Sequence, residues 1–265
     1  MLLRRGSGHI HYDLVGAPDA PVVCMTHSLT SDGGMWAEQV PVLLAAGYQV
    51  LRLDMRGHGG SSPEPGSYTI ESLAGDVLAV LDALAFDSVH LIGLSMGGMI
   101  GQVIAADHRE RLKSLMACCT TSRWEGDEAF MRGRIATVRE KGTLESIVDD
   151  NMWRRYAPGF EERRPARYKA LRETFLGTSL DGYFGCMDAI LSHDVSGRLP
   201  GVTTPTLVVA GSDDVSTPPD SNRRIASLVP GAEYREIAGG RHFPNVDFNE
   251  AFDAIMLGWL KRVGG

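Results

Sequence analysis

Along this chain, short apolar runs alternate with longer stretches in which apolar residues return every three or four positions. The short runs predict strands at GHIHYDLVG (8–16), PVVCMTH (21–27), YQVLRLDM (48–55), SVHLIGL (88–94), LKSLMACC (112–119), TPTLVVAG (204–211) and AEYREIAG (232–239). The longer stretches predict helices at 35–47, 69–86, 96–108, 219–229 and 249–263. Such alternation implies an α/β fold: a mostly parallel central sheet with helices on both faces. In sheets of this kind a ligand sits at the carboxyl ends of the strands.

The alternation lapses once. From Ser122 to Ser192 the pattern is helical and loop-like, between the strand ending at Cys119 and the one starting at Thr206. An insertion at a strand's carboxyl end lies over whatever site that end carries. We therefore expect a helical cap at 122–195 and a core built from 1–121 and 196–265.

Composition narrows the class. At 265 residues and 43% hydrophobic, the chain can bury a sizeable core. A net charge of -7 argues against a nucleic-acid partner, because phosphate binding needs a basic surface. No run reaches the roughly 20 apolar residues of a membrane span, and the opening MLLRRGSGHIHYDLVG lacks the apolar centre of a signal peptide. Cys24, Cys118, Cys119 and Cys186 form no disulfide framework and read as reduced core residues, so a cytoplasmic setting is expected.

The candidate chemistry begins at HLIGLSMGGMI (90–100). With 31 glycines in the chain, a serine with glycine two positions before and after it arises by chance in about one such chain in four. Context raises its weight: an apolar strand runs into Ser95 and a helix leaves it without a gap. Gly93 and Gly97 would let the flanking chains approach closely, and the helix start offers free amides beside the hydroxyl. A serine hydroxyl needs a base, and the base needs an acid. Asp213 or Asp214, after the TLVVAG strand, and His242, in the loop AGGRHFPN, follow Ser95 in the order expected of a strand–serine–helix nucleophile. A tetrahedral oxyanion would be held by the amides of Met96 and Leu29, the latter in the loop HSLTSDGG, where His27 and Ser28 could line the pocket.

Other chemistry-bearing residues carry less. His9 and His11 alternate on one strand face without a third ligand nearby, so no metal site is expected. LDMRGHGGSS (53–62) has glycines after a strand but no third glycine of a dinucleotide fingerprint, and Pro63 follows, which makes it a structural turn holding His58. His90 begins a strand and His108 ends a helix. Asp149 and Asp150 lie in a polar helical stretch and are expected in solvent.

Taken together, HSLTSDGGMW, DMRGHGGSS, GLSMGG, DGYFGCMDAI, GSDDVSTPP and GGRHFPNVD resemble the α/β hydrolases, most of all the 3-oxoadipate enol-lactonase type, over essentially the whole chain. The resemblance implies the α/β-hydrolase fold with its helical cap inserted after the sixth strand. It places the nucleophile on Ser95, the acid on Asp214 in preference to Asp213, the base on His242 and the oxyanion donors on Leu29 and Met96. No cofactor and no metal are implied. The expected activity is hydrolysis of a carboxylic ester or lactone through an acyl-enzyme. General carboxylesterases, other lactonases, perhydrolases and, in another class, hydrolase-like small-molecule receptors share these features. Dehalogenases and epoxide hydrolases carry an aspartate where Ser95 stands, which sets them aside.

Two departures concern the substrate. Enol-lactonases usually have Asn-Ser where this chain has His27-Ser28, and a Trp-Phe pair where it has Arg155-Tyr156. Residues expected to face substrate are His27, Ser28, Trp124, Trp153, Tyr156, His193 and Phe243. From Ser122 to Arg172 there are 12 Lys plus Arg against 9 Asp plus Glu, a balance of +3 that would suit a small carboxylate substrate.

Overall fold

The computed structural model describes residues 1–264. Eight strands form one sheet: β1 (Leu2–Arg5), β2 (Gly8–Val15), β3 (Val22–Thr26), β4 (Gln49–Leu53), β5 (Val89–Leu94), β6 (Leu112–Cys118), β7 (Thr206–Gly211) and β8 (Glu233–Ile237). Their spatial order is β1-β2-β4-β3-β5-β6-β7-β8. β1 with β2 and β2 with β4 are antiparallel, and every later pairing is parallel. The apolar pattern did not single out β1, a half-exposed edge strand whose alternation is too short to read. Its presence makes Leu112–Cys118 the sixth strand in chain order.

Both faces of the sheet are covered because its central strands are apolar at consecutive positions. Val22 and Cys24 of β3 pack on one side, with Val77 and Val80 of α2 (Ile70–Ala83) and Ile100 and Val103 of α3 (Met96–Asp107). Val23 and Met25 point the other way, toward Leu43 of α1 (Gln39–Ala45) and Phe252 and Met256 of α11 (Asn249–Val263). This is the period-two alternation of a strand buried on both faces. The helix expected over 35–47 is two pieces, a short 3-10 turn at Gly33–Trp36 and then α1. Pro41 has no amide to donate, which is tolerated only in a first helical turn, so the α-helix starts at Gln39 instead of running on from Met35.

Between β6 and β7 lie five α-helices, α4 (Glu128–Lys141), α5 (Glu145–Arg155), α6 (Phe160–Arg163), α7 (Pro165–Leu176) and α8 (Leu180–Ser192), and a 3-10 turn at Leu199–Gly201. α9 (Pro219–Leu228) and α10 (Pro244–Asp247) complete the core. No helix among the described residues is long and apolar enough to cross a membrane. Because β3 and β5 to β8 run parallel, the segments that follow them emerge at one end of the sheet, beneath the cap helices.

Candidate active site

Ser95 stands alone between the end of β5 and the start of α3, with φ 57° and ψ -115°. A side chain in that region costs about 1–3 kcal/mol and persists only where its surroundings hold it. Here they do: the Ser95 amide donates to Cys118 O at 2.9 Å, and its carbonyl accepts from Thr120 Oγ1 at 2.7 Å and from the Met99 amide at 3.0 Å. The two flanking glycines are steric necessities. A Cβ on Gly93 would lie 2.2 Å from the Gly97 carbonyl oxygen, and one on Gly97 would lie 2.3 Å from that of Thr26.

The Asp214 carboxylate follows β7 and is saturated with donors. Oδ1 accepts from the amides of Ser216 at 2.7 Å and Thr217 at 3.1 Å; Oδ2 accepts from Thr217 Oγ1 and from His242 Nδ1, both at 2.8 Å. Burial pushes its pKa up, but the neighbouring His242 and the hydrogen bonds from His242 and Thr217 outweigh burial and hold it below the usual carboxylate range. Asp213, one residue earlier, is exposed, and its carboxylate accepts from Ser212 Oγ at 2.7 Å. With Nδ1 engaged by Asp214, the other ring nitrogen of His242 is left for the cavity that this ring lines together with Ser95.

The loop after β3 is held from three directions. His27 Nδ1 donates to Ser28 O at 2.7 Å while its Nε2 accepts from the Met55 amide at 2.8 Å. His58 does the same from the neighbouring turn: Nδ1 donates to Arg56 O at 2.9 Å and Nε2 accepts from the Thr30 amide at 3.0 Å. Both rings are thereby fixed as neutral Nδ1–H tautomers. Burial lowers the pKa of His27 and drives that of His58 down to about 3. From the cap, Arg155 donates to the carbonyls of Leu29 at 2.6 Å and Thr30 at 3.3 Å. Among the described residues no acceptor meets the amides of Leu29 or Met96. An oxyanion needs two such donors.

The cavity has a volume of about 330 Å³. Met99, Trp124, Phe130, Met131, Met187 and Ile190 give it an apolar wall, and Arg134, Arg154 and Arg155 also line it. Arg134 and Arg154 both pair with Asp150, so two guanidinium groups share one carboxylate. Asp150, expected in solvent, is instead half-exposed in this network, and Asp149 is the exposed one of the two.

Of the side chains expected at the substrate, Ser28 and Trp124 line the cavity. The other five lie elsewhere. His27 is buried behind the loop it braces. Trp153 is 54% exposed, covered by the Arg241 guanidinium at 4.5 Å. Tyr156 is stacked on Phe160 with ring centroids 4.5 Å apart, and its edge meets Phe243, which is itself buried beneath Arg155. His193 is buried against the chain that carries Trp124, to whose amide it offers its carbonyl at 3.1 Å. The physical reason for Trp153 is helical phase: Val148, Met152 and Arg155 share the inner face of α5, and a residue two positions before Arg155 points about 200° away. Outside the site, His9 and His11 are bonded to the turn that follows β4, at Gly60 O and Asp54 Oδ2.

Sequence reasoning missed His58, Thr217 and the loop contacts of Arg155. His58 was read as part of a structural turn, and nothing local shows that this turn reaches the loop after β3. For Arg155 a signal existed: it extends the buried Val148–Met152 stripe of α5 by three positions, an odd place for a charge unless it has an internal partner.

The sequence model of the alpha/beta hydrolase fold matches residues 21–248. The chain belongs to the α/β-hydrolase family. It is 32% identical to 3-oxoadipate enol-lactonase 2 of Acinetobacter baylyi, over 93% of this chain and 92% of that one. The crystal structure of the enol-lactonase from Burkholderia xenovorans LB400 superimposes with a TM-score of 0.94, at 32% identity and over 98% of this chain and 100% of that one. A thermophilic esterase from Thermogutta terrifontis, in a malate-bound form, gives 0.88 at 26% identity, over 97% of this chain and 94% of the esterase. This α/β hydrolase is thus similar over more than nine-tenths of its length to proteins named enol-lactonase and esterase.

Proposed function

We propose that this protein is a serine hydrolase that cleaves a carboxylic ester or lactone through an acyl-enzyme, with Ser95 as nucleophile, His242 as base, Asp214 as its acid partner and the Leu29 and Met96 amides as oxyanion donors. The observation that carries the reading is the buried Asp214–His242 pair on the same cavity as a strained, solitary Ser95. His242 takes the Ser95 proton as Oγ forms a bond to the carbonyl carbon, and negative charge moves onto the carbonyl oxygen between the two amides. When the tetrahedral species collapses, the carbon–oxygen bond to the leaving group breaks and His242 returns the proton to that oxygen. Water, deprotonated by His242, then attacks the acyl-enzyme, and collapse frees the acid and restores Ser95. An enol leaving group would tautomerise to a ketone without further help.

The substrate in this reading bears a carboxylate. The support is the pair Arg134 and Arg154 on the cavity wall, which share one carboxylate, Asp150, while Asp127, also on the wall, is engaged at the Phe130 amide, so that a substrate carboxylate would give the two guanidinium groups a second partner. Residues 122–195 serve as the cap over this cavity, and 1–121 with 196–265 as the core that performs the chemistry. A cytoplasmic setting belongs to the same reading, supported by four buried free cysteines.

The test is a panel of neutral esters, anionic half-esters, simple lactones and enol lactones, assayed with wild type and Ser95→Ala. Turnover is expected in wild type and a loss of at least about 10⁴-fold in the variant. A fluorophosphonate should add its mass to Ser95 alone. Hydrolysis of none of the panel would refute the reading, and a single burst without further turnover would favour a receptor.

A further inference from the structure

We propose that Arg155 is a positioning residue that fixes the Leu29 amide as an oxyanion donor, making the inner end of α5 and the oxyanion loop one rigid unit. The inference rests on the serine-hydrolase reading above. Three observations carry it.

First, the Leu29–Thr30 segment has its polar groups spoken for, save one. The Leu29 carbonyl accepts from Arg155 and from Thr30 Oγ1, the Thr30 carbonyl accepts from Arg155, and the Thr30 amide donates to His58. Only the Leu29 amide among these four meets no partner within the described residues, so whatever fixes its neighbours also fixes its direction. The segment needs fixing, because Thr30 has φ 54°, a left-handed conformation that a β-branched residue resists. Arg155 also bonds the Thr30 hydroxyl, at 2.5 Å.

Second, Arg155 is spent on this task. It is buried, and no carboxylate pairs with it among the described residues. Its guanidinium lies between the rings of Phe175, 5.0 Å away, and Phe243, 4.7 Å away, and three hydrogen bonds direct it at the loop. Burial without an anion lowers its pKa to about 10, which still leaves it charged at neutral pH. A planar cation with several N–H groups can span two successive carbonyls; a lysine ammonium cannot.

Third, the same residue reaches the base. The Arg155 carbonyl accepts from the amide of Phe243 at 3.0 Å, one position after His242. One residue of the cap therefore ties the oxyanion donor to the base loop. These groups have to agree within a fraction of an ångström in the transition state, and a displacement of about 1 Å costs about 10²-fold in rate.

The experiment compares wild type, Arg155→Met, Arg155→Lys and Ser95→Ala on p-nitrophenyl acetate, which is neutral, and on mono-p-nitrophenyl succinate, which is anionic, below the lowest melting temperature of the set. For Arg155→Met, kcat should fall about 10²-fold on both esters while KM stays within about threefold, because an interaction made only in the transition state is lost. Arg155→Lys keeps the charge but not the fork, and should lose about tenfold in kcat on both. It serves as the deciding variant should Arg155→Met not fold. A kcat within threefold of wild type on both esters would overturn the proposal. So would a KM rise confined to the anionic ester, since Arg155 would then be a substrate anchor. Ser95→Ala separates the two claims: full activity in it overturns the nucleophile assignment and the clamp together, whereas an inactive Ser95→Ala beside an unimpaired Arg155→Lys overturns the clamp alone.

Discussion

Between Arg155 and Arg167 the cap is fastened to the core by side chains that cross from one to the other, whereas α4 makes polar contacts only within the cap among the described residues. On the fastened flank, Asp247 accepts from the Ala157 amide at 2.7 Å and from Arg163 at 2.8 Å, Arg164 reaches the Val246 carbonyl, and Arg164 and Arg167 both bind Glu38. On α4, Arg132 pairs with Glu128 of its own helix and Arg134 with Asp150 of α5, and Val138 is the one side chain that is fully buried. Both flanks are rich in arginine. What differs is where the guanidinium groups end: on buried carboxylates and carbonyls of the core in one case, on half-exposed neighbours in the other. The comparison also revises the charge argument, because much of the cap's positive balance goes to holding the cap down, and only Arg134, Arg154 and Arg155 line the cavity.

Breaking the fastened flank should cost most. Asp247→Ala leaves the half-buried Ala157 amide without its acceptor and takes from Arg163 one of its two, and should destabilise the protein by about 1–2 kcal/mol in urea unfolding. A loss no larger than that of an α4 surface pair would erase the contrast. Acid should act on the same side of the site. The folded pKa of His58 lies near 3, below the value of about 6.5 in the unfolded chain. The unfolded state therefore binds the proton first, and stability is lost as pH falls through 6.5 and on toward 3. Between pH 7 and pH 5 this amounts to about 2 kcal/mol, and His58→Gln should flatten that part of the pH profile. A profile that is flat in wild type over this range would remove the neutral histidine from the loop's support.

On the free flank the effects should appear in binding. Arg134→Met should raise KM for the anionic half-ester about tenfold, leave KM for the neutral ester unchanged and spare kcat, a difference of about 1.4 kcal/mol. Equal changes on both esters would mean that Arg134 shapes the cavity without reading charge. Smallest of all, Arg132→Ala breaks an exposed i,i+4 pair and should stay within about 0.5 kcal/mol of wild-type stability with unaltered kinetics.

Much of the site was legible because its signals are local. The turn at Ser95 is an apolar strand, two glycines and a helix start inside eleven residues. Asp214 and His242 each follow a recognisable strand, so chain order alone brought them to one end of the sheet. The reading failed where helix phase or a distant partner decided the outcome. Trp153 was expected at the substrate on account of its type, yet its position on α5 turns it to solvent. Tyr156 and Phe243 were expected there too, but their rings meet each other, with Tyr156 stacked on Phe160 and Phe243 under Arg155.

The sequence by itself determined the alternation of inner strands and helices, the helical insertion between the strand ending at Cys119 and the one starting at Thr206, and the sharp turn at Ser95, because hydrophobic period and glycine spacing act over a few residues. Only the tertiary structure decided that Arg155 would grip carbonyls some 125 positions earlier in the chain, that His27 and His58 would brace the loop after β3, and that one flank of the cap would be fastened. A buried donor takes whatever acceptor the packed chain brings within 3 Å, and that pairing is a property of the assembled fold.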